Sequence, residues 1–280
     1  MEFASTQEIL AELRAGRMVV IVDDEDRENE GDLVIAAEKA TPEDINFMTK
    51  RGRGLICAPL TEERLRELGL RRMVEESADR YDTAFTVSVD SKSGTTTGIS
   101  AHDRAVTVNR LALSGAQEAD FVQPGHVFPL IAKKGGVLRR AGHTEAAVDL
   151  ARLAGLNPAG VICEILNEDG TMARLPELEK FAAKFDLSIC TIADLIQYRR
   201  QNEKLITKAL ETRLPTEYGV FRLMLYHSDL EDAHHIALVM GNPDPETLVR
   251  RLVNLGTERL PLHGIPGRQP PALLQPQRPH

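Results

Sequence analysis

Residues 18–37 read MVVIVDDEDRENEGDLVIAA, and this stretch decides the local fold. The apolar runs 18–22 and 33–37 have the length and the β-branched composition of buried strands. Between them, seven of the ten residues from Asp23 to Asp32 are carboxylates. The pattern therefore predicts two neighbouring strands joined by an acidic loop.

This acidic loop is a candidate metal site. Two unit charges about 4 Å apart repel by about 4 kcal/mol near a protein surface, so such a density of carboxylates favours bound cations. Arg27 offers a planar clamp for an anion, and Gly31 allows the backbone to turn tightly. Together they suit an anionic ligand held beside a metal. The alternative is a solvated charged turn, which is the usual state of an acidic run.

Composition limits the classes of protein to consider. A chain of 280 residues forms one large or two smaller domains, and its net charge of -8 argues against nonspecific binding of nucleic acid. Its three cysteines have no paired spacing, which argues against a disulfide framework and a cysteine zinc site. The N-terminus lacks a signal-peptide pattern, and no apolar run approaches the roughly 18 residues that span a bilayer. We therefore expect a soluble cytoplasmic protein with no membrane partner.

Helix and strand patterns alternate up to residue 206 without the regular period of a barrel. Ser5, Thr41, Thr61 and Ser100 are placed as helix N-caps, and the apolar runs between the helices read as strands. The pattern predicts an α+β fold, with a mixed β-sheet layered with helices, over residues 1–206. In the second segment, 207–280, we expect runs 220–226 and 236–240 to pair as strands. The proline- and glutamine-rich end, 264–280, is expected to be disordered.

A second candidate cluster is RRAGHTE, residues 139–145, at the predicted start of a helix. Backbone amides at a helix start, a threonine hydroxyl and an arginine fork suit a phosphate group. His143 can ligate a metal when its imidazole is neutral. The alternative is a set of basic residues beside a glycine turn.

Two further residues are candidates for proton transfer. Glu164 interrupts the apolar run VICEIL, residues 161–166, and a carboxylate in a buried strand is a candidate general base. It could equally point outward from a half-exposed strand. His126 follows a Pro-Gly turn, where a lone histidine is more often structural. Three other features are less specific. Cys57 reads as a small core residue. The hydroxyl-rich loop 93–100 suits the hydroxyls of a ligand, and the run 51–54, RGRG, could add cationic contacts.

Four motifs occur in order over residues 3–205. They are VDDEDRENEGD (22–32), TTGISA (96–101), PGHVFPL (124–130) and RAGHTEA (140–146). In order and spacing they resemble the 3,4-dihydroxy-2-butanone 4-phosphate synthase family of riboflavin biosynthesis. The resemblance implies a lyase that converts ribulose 5-phosphate to 3,4-dihydroxy-2-butanone 4-phosphate and formate. It also implies Mg²⁺ or Mn²⁺ as cofactor and a homodimer whose active sites take residues from both subunits.

By matching motif position, the resemblance also implies roles for individual residues. It makes Glu28 and His143 the metal ligands and makes His126 and Glu164 the catalytic residues. The implied substrate-binding residues are Arg27, Glu28, Asp32, Arg140, Ala141, Gly142, His143, Thr144 and Glu164. Further positions near the family's site align with Asp23, Glu30, Cys57 and Thr97.

The C-terminal segment resembles a different family. Residues 214–221, LPTEYGVF, and 235–239, HIALV, resemble the opening of GTP cyclohydrolase II, and the resemblance ends near Arg250. That family's zinc site needs three cysteines, and no cysteine follows Cys190. We therefore interpret 207–280 as a truncated cyclohydrolase-like segment and expect no cyclohydrolase activity. The alternatives are a catalytically inactive regulatory or binding homologue and a bifunctional enzyme.

Overall fold

The structure, a computed structural model, describes residues 3–75, 78, 80–228, 230 and 233–242. Its Cα positions divide into two compact units. Among the described residues, the first unit comprises 3–75, 78, 80–205 and 230, and the second comprises 206–228 and 233–242.

A seven-stranded mixed sheet forms the centre of the first unit. Its strands are β1 (Val19–Val22), β2 (Gly31–Ala36), β3 (Cys57–Thr61), β4 (Val89–Ser91), β5 (Phe121–Ala132), β6 (Gly160–Glu164) and β7 (Ile189–Thr191). The strand order is β4-β5-β3-β6-β2-β1-β7. The pairs β3/β5 and β1/β7 are parallel, whereas the other neighbours are antiparallel. The predicted mixed sheet is confirmed.

Helices cover both faces of this sheet. They are α1 (Thr6–Arg14), α2 (Pro42–Phe47), α3 (Glu62–Glu67), α4 (Ala101–Ala112), α5 (His143–Leu153), α6 (Leu175–Phe185) and α7 (Ile192–Asn202). Alternate residues of β1 enter two different cores, because successive side chains of a strand point to opposite faces. Val20 and Val22 pack in the core that α2, α4 and α6 share. Val19 and Ile21 pack in the core formed with α1, α5 and α7.

The predicted helix starts are confirmed where local capping determines them. Ser5 and Glu8 form a capping box at α1, and Thr41 and Asp44 form another at α2. Ser100 accepts a hydrogen bond from the Asp103 amide at the start of α4.

The alternation of apolar residues predicts a strand over 85–89, their helical spacing predicts an amphipathic helix over 193–206, and the structure differs from both predictions. Phe85 and Thr86 form only isolated bridges before β4 begins at Val89, and the Phe85 ring packs edge-on against Phe128 at 6.4 Å. The alternation thus reflects packing against β5. Helix α7 ends at Asn202 and not at Ile206, because Glu203 adopts an extended conformation as its C-cap.

The second unit is a three-stranded antiparallel sheet. Its strands β8 (Ile206–Thr216), β9 (Gly219–Ser228) and β10 (Ala233–Val239) lie in the order β10-β9-β8. Leu223 pairs with Leu238 in the predicted pairing of the last two strands, whereas β8 was not predicted. The segment 264–280, expected to be disordered, lies outside the described residues. Within the described part of the chain, no helix is both long enough and apolar enough to cross a bilayer.

Candidate active site

The site lies where β2 and β6 meet the first turn of α5. Asp32 and Glu164 are register partners in the antiparallel β2/β6 ladder, so their side chains share one face of the sheet. Helix α5 packs against both strands and begins with His143. Three segments that are distant in the sequence therefore meet at one point.

The acidic loop between β1 and β2 is folded around the carboxylate of Asp23, whose side chain is fully buried. Asp23 Oδ1 accepts a hydrogen bond from the Glu30 amide at 2.8 Å, and Oδ2 accepts one from the Glu28 amide at 3.2 Å. Arg27 Nη1 donates to Asp23 Oδ2 at 2.8 Å and also contacts the Glu28 carboxylate. The loop is an ordered structure and not merely a solvated turn.

Three potential metal ligands converge beside this loop. A carboxylate oxygen of Asp23, one of Glu28 and a ring nitrogen of His143 lie within 4.8 Å of one another. His143 Nε2 is buried and has no hydrogen-bond partner among the described residues. A buried polar atom of this kind needs a ligand, and an oxygen-rich donor set with one imidazole suits a divalent cation. The residues present therefore fit a divalent metal ion.

Electrostatics couple His143 to the surrounding carboxylates. Its Nδ1 lies 3.8 Å from Glu28 Oε2 and 4.0 Å from Asp32 Oδ1. Burial lowers the pKa of His143, but the carboxylates of Asp32, Glu28 and Asp23 outweigh burial and raise this pKa to about 9. Burial raises the pKa of Asp32 to about 7, although His143 opposes the shift. Without a metal, the imidazole therefore carries a proton at neutral pH.

Two arginines converge over the start of α5. A Cβ added at Gly142 would overlap Arg140 Nη1 and lie 2.9 Å from Arg27 Nη2. The guanidinium of Arg140 is held by Glu145 Oε2 at 2.6 Å, by Thr83 Oγ1 at 3.0 Å and by a backbone carbonyl at 2.9 Å. The paired cations and the helix start form a site suited to an anion.

Most of the predicted site residues line one cavity of about 90 Å³. Those lining it are Arg27, Glu28, Asp32, Arg140, His143, Thr144 and Glu164, together with Glu30 and Cys57. Ala141 is exposed and lines a separate groove, which it shares with Asp24 and Glu30. Thr83 and Phe85 also line the cavity, although no motif in the sequence marks them.

Glu164 is half-buried and faces the cavity, so the alternative of an outward-pointing side chain is wrong. Its Oε2 accepts a hydrogen bond from the Leu55 amide at 2.8 Å, and a Cβ at Gly54 would lie 2.5 Å from the same atom. Arg53 donates to the carbonyls of Arg51 and Leu166 and does not line the cavity. Gly54 is therefore the residue of the RGRG run that lies against the site, because a larger residue there would overlap the Glu164 carboxylate.

His126 lies on β5 and does not line the cavity of its own chain. Its Nδ1 is 2.7 Å from Asp90 Oδ2, and its amide donates to Asp90 Oδ1 at 2.9 Å. Asp90 was not predicted from the sequence, because it belongs to none of the four motifs. In the neighbouring loop, the hydroxyl of Thr95 donates to a backbone carbonyl and that of Thr96 donates to Asp103 Oδ2, whereas Thr97 is exposed.

Comparison with known proteins identifies the family. The family model for 3,4-dihydroxy-2-butanone 4-phosphate synthase matches residues 7–198. The chain belongs to this synthase family. A second family model, for GTP cyclohydrolase II, matches residues 207–254. Both family resemblances seen in the sequence are thus confirmed.

Curated relatives of the synthase family extend beyond this chain. A riboflavin biosynthesis protein RibBA from Endomicrobium trichonymphae is 57% identical over 239 residues, which cover 85% of this chain and 59% of the relative. The RibBA protein of Aquifex aeolicus (strain VF5) is 56% identical over 253 residues, covering 89% and 62%, respectively. The chain therefore spans about three fifths of the length of these relatives.

Solved structures of the synthase family share the fold. RibBX, a two-domain synthase from A. baumannii, matches with a TM-score of 0.78 and 52% identity, over 85% of this chain and 70% of that one. A synthase solved in complex with two magnesium ions matches with a TM-score of 0.69 and 47% identity, over 71% of this chain and 98% of that one.

Proposed function

We propose that this chain is a carbon-carbon lyase that converts D-ribulose 5-phosphate to L-3,4-dihydroxy-2-butanone 4-phosphate and formate in riboflavin biosynthesis. The observation that carries the proposal is the single cavity that joins a candidate metal site, a pair of arginines and Glu164. A ketose phosphate offers oxygen ligands to a hard cation, an anion to arginine and an acidic C–H bond to a base. Family membership supports the same assignment.

The proposed cofactor is Mg²⁺ or Mn²⁺. Glu28 and His143 would hold the ion, and Asp23 offers a third donor within reach. When bound, a hard divalent ion polarises the ketose carbonyl and makes the neighbouring C–H bond more acidic. The family member solved with two magnesium ions supports this choice of metal.

The substrate would be held at its phosphate group and at its ketose carbons. Arg27, Arg140 and the start of α5, with Gly142 and Thr144, would bind the phosphate, because a helix N-terminus and guanidinium groups both favour an anion. Alignment with the family motif also adds Ala141 to the binding residues, although its side chain lies outside the cavity. Fixing the phosphate would place the ketose carbons between the metal ligands and Glu164.

Proton transfer would fall to the carboxylates on the sheet. Glu164 would act as general base toward the substrate carbon atoms from its position at the end of β6. Asp32, its register partner, has a pKa of about 7 because of burial and can therefore take up and return a proton near neutral pH. The reaction needs no external oxidant, because the butanone phosphate and formic acid together contain the same atoms as the ketose phosphate.

The second catalytic residue, His126, suggests a homodimer. Within one chain it lies outside the cavity, and 41% of its side chain is exposed. We propose that His126 completes the active site of the other subunit. We also propose a cytoplasmic location, because all three cysteines are free and buried, as in a reducing compartment.

A formate assay tests the proposed function. Purified protein with ribulose 5-phosphate and MgCl₂ should release formate, EDTA should abolish release, and excess Mg²⁺ should restore it. Glu164→Gln should lower kcat by at least about 100-fold. Full activity of this variant would refute the role of Glu164. Tight binding of substrate without formate release would favour the inactive homologue, and formate from GTP and Zn²⁺ would favour the bifunctional enzyme.

A further inference from the structure

We propose that Asp90 is the positioning residue for His126, fixing the orientation and the tautomer of its imidazole. The inference rests on the proposed function in one respect, since the catalytic role of His126 belongs to that proposal. The geometry of the pair is independent of it. Asp90 itself would touch neither substrate nor metal.

One carboxylate binds His126 at two points. Asp90 Oδ1 accepts a hydrogen bond from the His126 backbone amide at 2.9 Å, and Oδ2 lies 2.7 Å from Nδ1 of the same residue. Because one end of the ring and the backbone behind it are both held, rotation of the imidazole would break the contact at Nδ1. A carboxylate can only accept hydrogen bonds, so the contact requires the proton on Nδ1.

Two glycines allow this close approach. A Cβ at Gly125 would overlap the backbone of Val89 and Asp90. A Cβ at Gly98, whose φ is +94°, would overlap Asp90 Oδ2 and lie 2.5 Å from His126 Nδ1. The amide of Gly98 is fixed in turn by Asp103 Oδ2 at 2.9 Å. The surroundings are thus packed tightly around the contact between Asp90 and Nδ1.

The other side of the ring is open. Asp90 is buried, with 7% of its surface accessible, whereas 41% of the His126 side chain is exposed. Within the described part of the chain, no residue forms a hydrogen bond with Nε2. A neutral imidazole with its proton fixed on Nδ1 presents a lone pair at Nε2, which is the form that a general base requires. Asp90 therefore leaves the lone pair of Nε2 available to a ligand that approaches from the exposed side of the ring.

The kinetic test uses Asp90→Asn, which preserves the volume of the side chain. The amide oxygen can still accept the His126 N–H, but the amide NH₂ then faces Nδ1 and favours the opposite tautomer. In serine proteases the corresponding exchange lowers kcat by about 10⁴-fold. We expect kcat to fall by at least about 100-fold while KM changes by less than about threefold. A kcat within about threefold of wild type would overturn the inference.

Ser88→Ala is the matched control, because Ser88 directly precedes β4 and also binds β5. Ser88 is buried, and its Oγ accepts a hydrogen bond from the Gly125 amide at 3.2 Å, whereas within the described residues no hydrogen bond joins it to the His126 imidazole. If Asp90 only stabilised the packing of β4 against β5, both variants would lose activity together. We expect Ser88→Ala to keep kcat within about twofold of wild type, and equal losses in both variants would contradict positioning.

A spectroscopic test separates this inference from the proposed function. In protein labelled with ¹⁵N-histidine, the neutral ring of His126 should carry its proton on Nδ1, and Asp90→Asn should move that proton to Nε2. His126→Gln identifies the resonance among those of the eight histidines. A wild-type proton on Nε2 would overturn the inference even if Asp90→Asn failed to fold. The expected tautomers without formate release would instead overturn the proposed reaction and leave the positioning intact.

Discussion

His143 Nδ1 lies 3.8 Å from Glu28 Oε2, which places the first residue of α5 directly against the acidic loop. The two residues are separated by 115 positions in the sequence and belong to different elements. Their contact unites the metal-ligand chemistry of the loop with the anion-binding helix start. Protonation of the His143 imidazole should therefore affect both the stability of the fold and the affinity for metal.

The stability of the metal-free protein should fall as the pH rises from 6.5 to 9. The folded-state pKa of His143 is raised to about 9 from 6.5, so its protonated form stabilises the fold. That stabilisation is fully present below the unfolded pKa and is lost as the pH rises through the folded pKa. The free energy of unfolding should decrease by about 2–3 kcal/mol over this range. Urea unfolding in EDTA measures it, and a similar decrease in His143→Asn would contradict the assignment.

Metal affinity should show the opposite dependence on pH. An imidazole must be neutral to ligate a metal, so binding displaces the proton that His143 carries below a pKa of about 9. Between pH 7.5 and 9 Asp32, with a pKa of about 7, is already ionised. The apparent Kd for Mn²⁺ should therefore fall by about tenfold per pH unit over most of this interval. Titration calorimetry in two buffers of different ionisation enthalpy would count the released proton, and binding without proton release would refute the role of His143.

Contacts between residues close together in the sequence could be predicted from it, whereas contacts between distant residues could not. Helix starts such as Ser5 with Glu8 were predicted because the capping groups lie three residues apart. Asp90 was missed because its partner lies 36 residues away, and only tertiary structure brings the two together. Strand β8 was missed because most of its residues are exposed, so no buried periodicity marks it. The separation of His126 from Glu164 within one chain is likewise a property of the sheet order and not of any motif.

Arg199→Ala should destabilise the first unit and loosen the turn that leads to Arg140. Arg199 Nη1 donates to Asp149 Oδ2 at 2.7 Å and to the Gly135 carbonyl at 2.8 Å, and the same Asp149 oxygen accepts the Val137 amide at 2.8 Å. Removing one partner of a buried ion pair costs about 3–5 kcal/mol. Without Arg199, the buried Asp149 carboxylate would keep only the longer 3.6 Å ion-pair contact with the partly exposed Arg152. We expect a loss of about 3 kcal/mol in urea unfolding and a raised KM for ribulose 5-phosphate.

Arg152→Ala is the control for that measurement. Its side chain is 46% exposed, and it pairs with Glu203 at 2.7 Å and more loosely with Asp149 Oδ1 at 3.6 Å. Exposed ion pairs contribute about 0–1 kcal/mol, so this variant should unfold within about 1 kcal/mol of wild type and keep its KM. Equal destabilisation by both variants would show that the short buried contact of Arg199 with Asp149 contributes no more than the exposed contacts of Arg152.

Gly142→Ala should weaken phosphate binding while leaving the fold nearly unchanged. The backbone of Gly142 is extended, at φ -118° and ψ 160°, so alanine is conformationally acceptable there. Its Cβ would nevertheless overlap Arg140 Nη1 and lie 2.9 Å from Arg27 Nη2, which forces the two guanidinium groups apart. If these arginines bind the phosphate, KM should rise by about tenfold or more, equivalent to at least about 1.4 kcal/mol of lost binding. Gly115→Ala is the matched control, because a Cβ there meets no atom within 4 Å among the described residues. Steady-state formate release from both variants measures the effect. An unchanged KM in Gly142→Ala would place the phosphate elsewhere, since the substitution cannot be accommodated without moving at least one of the two cations.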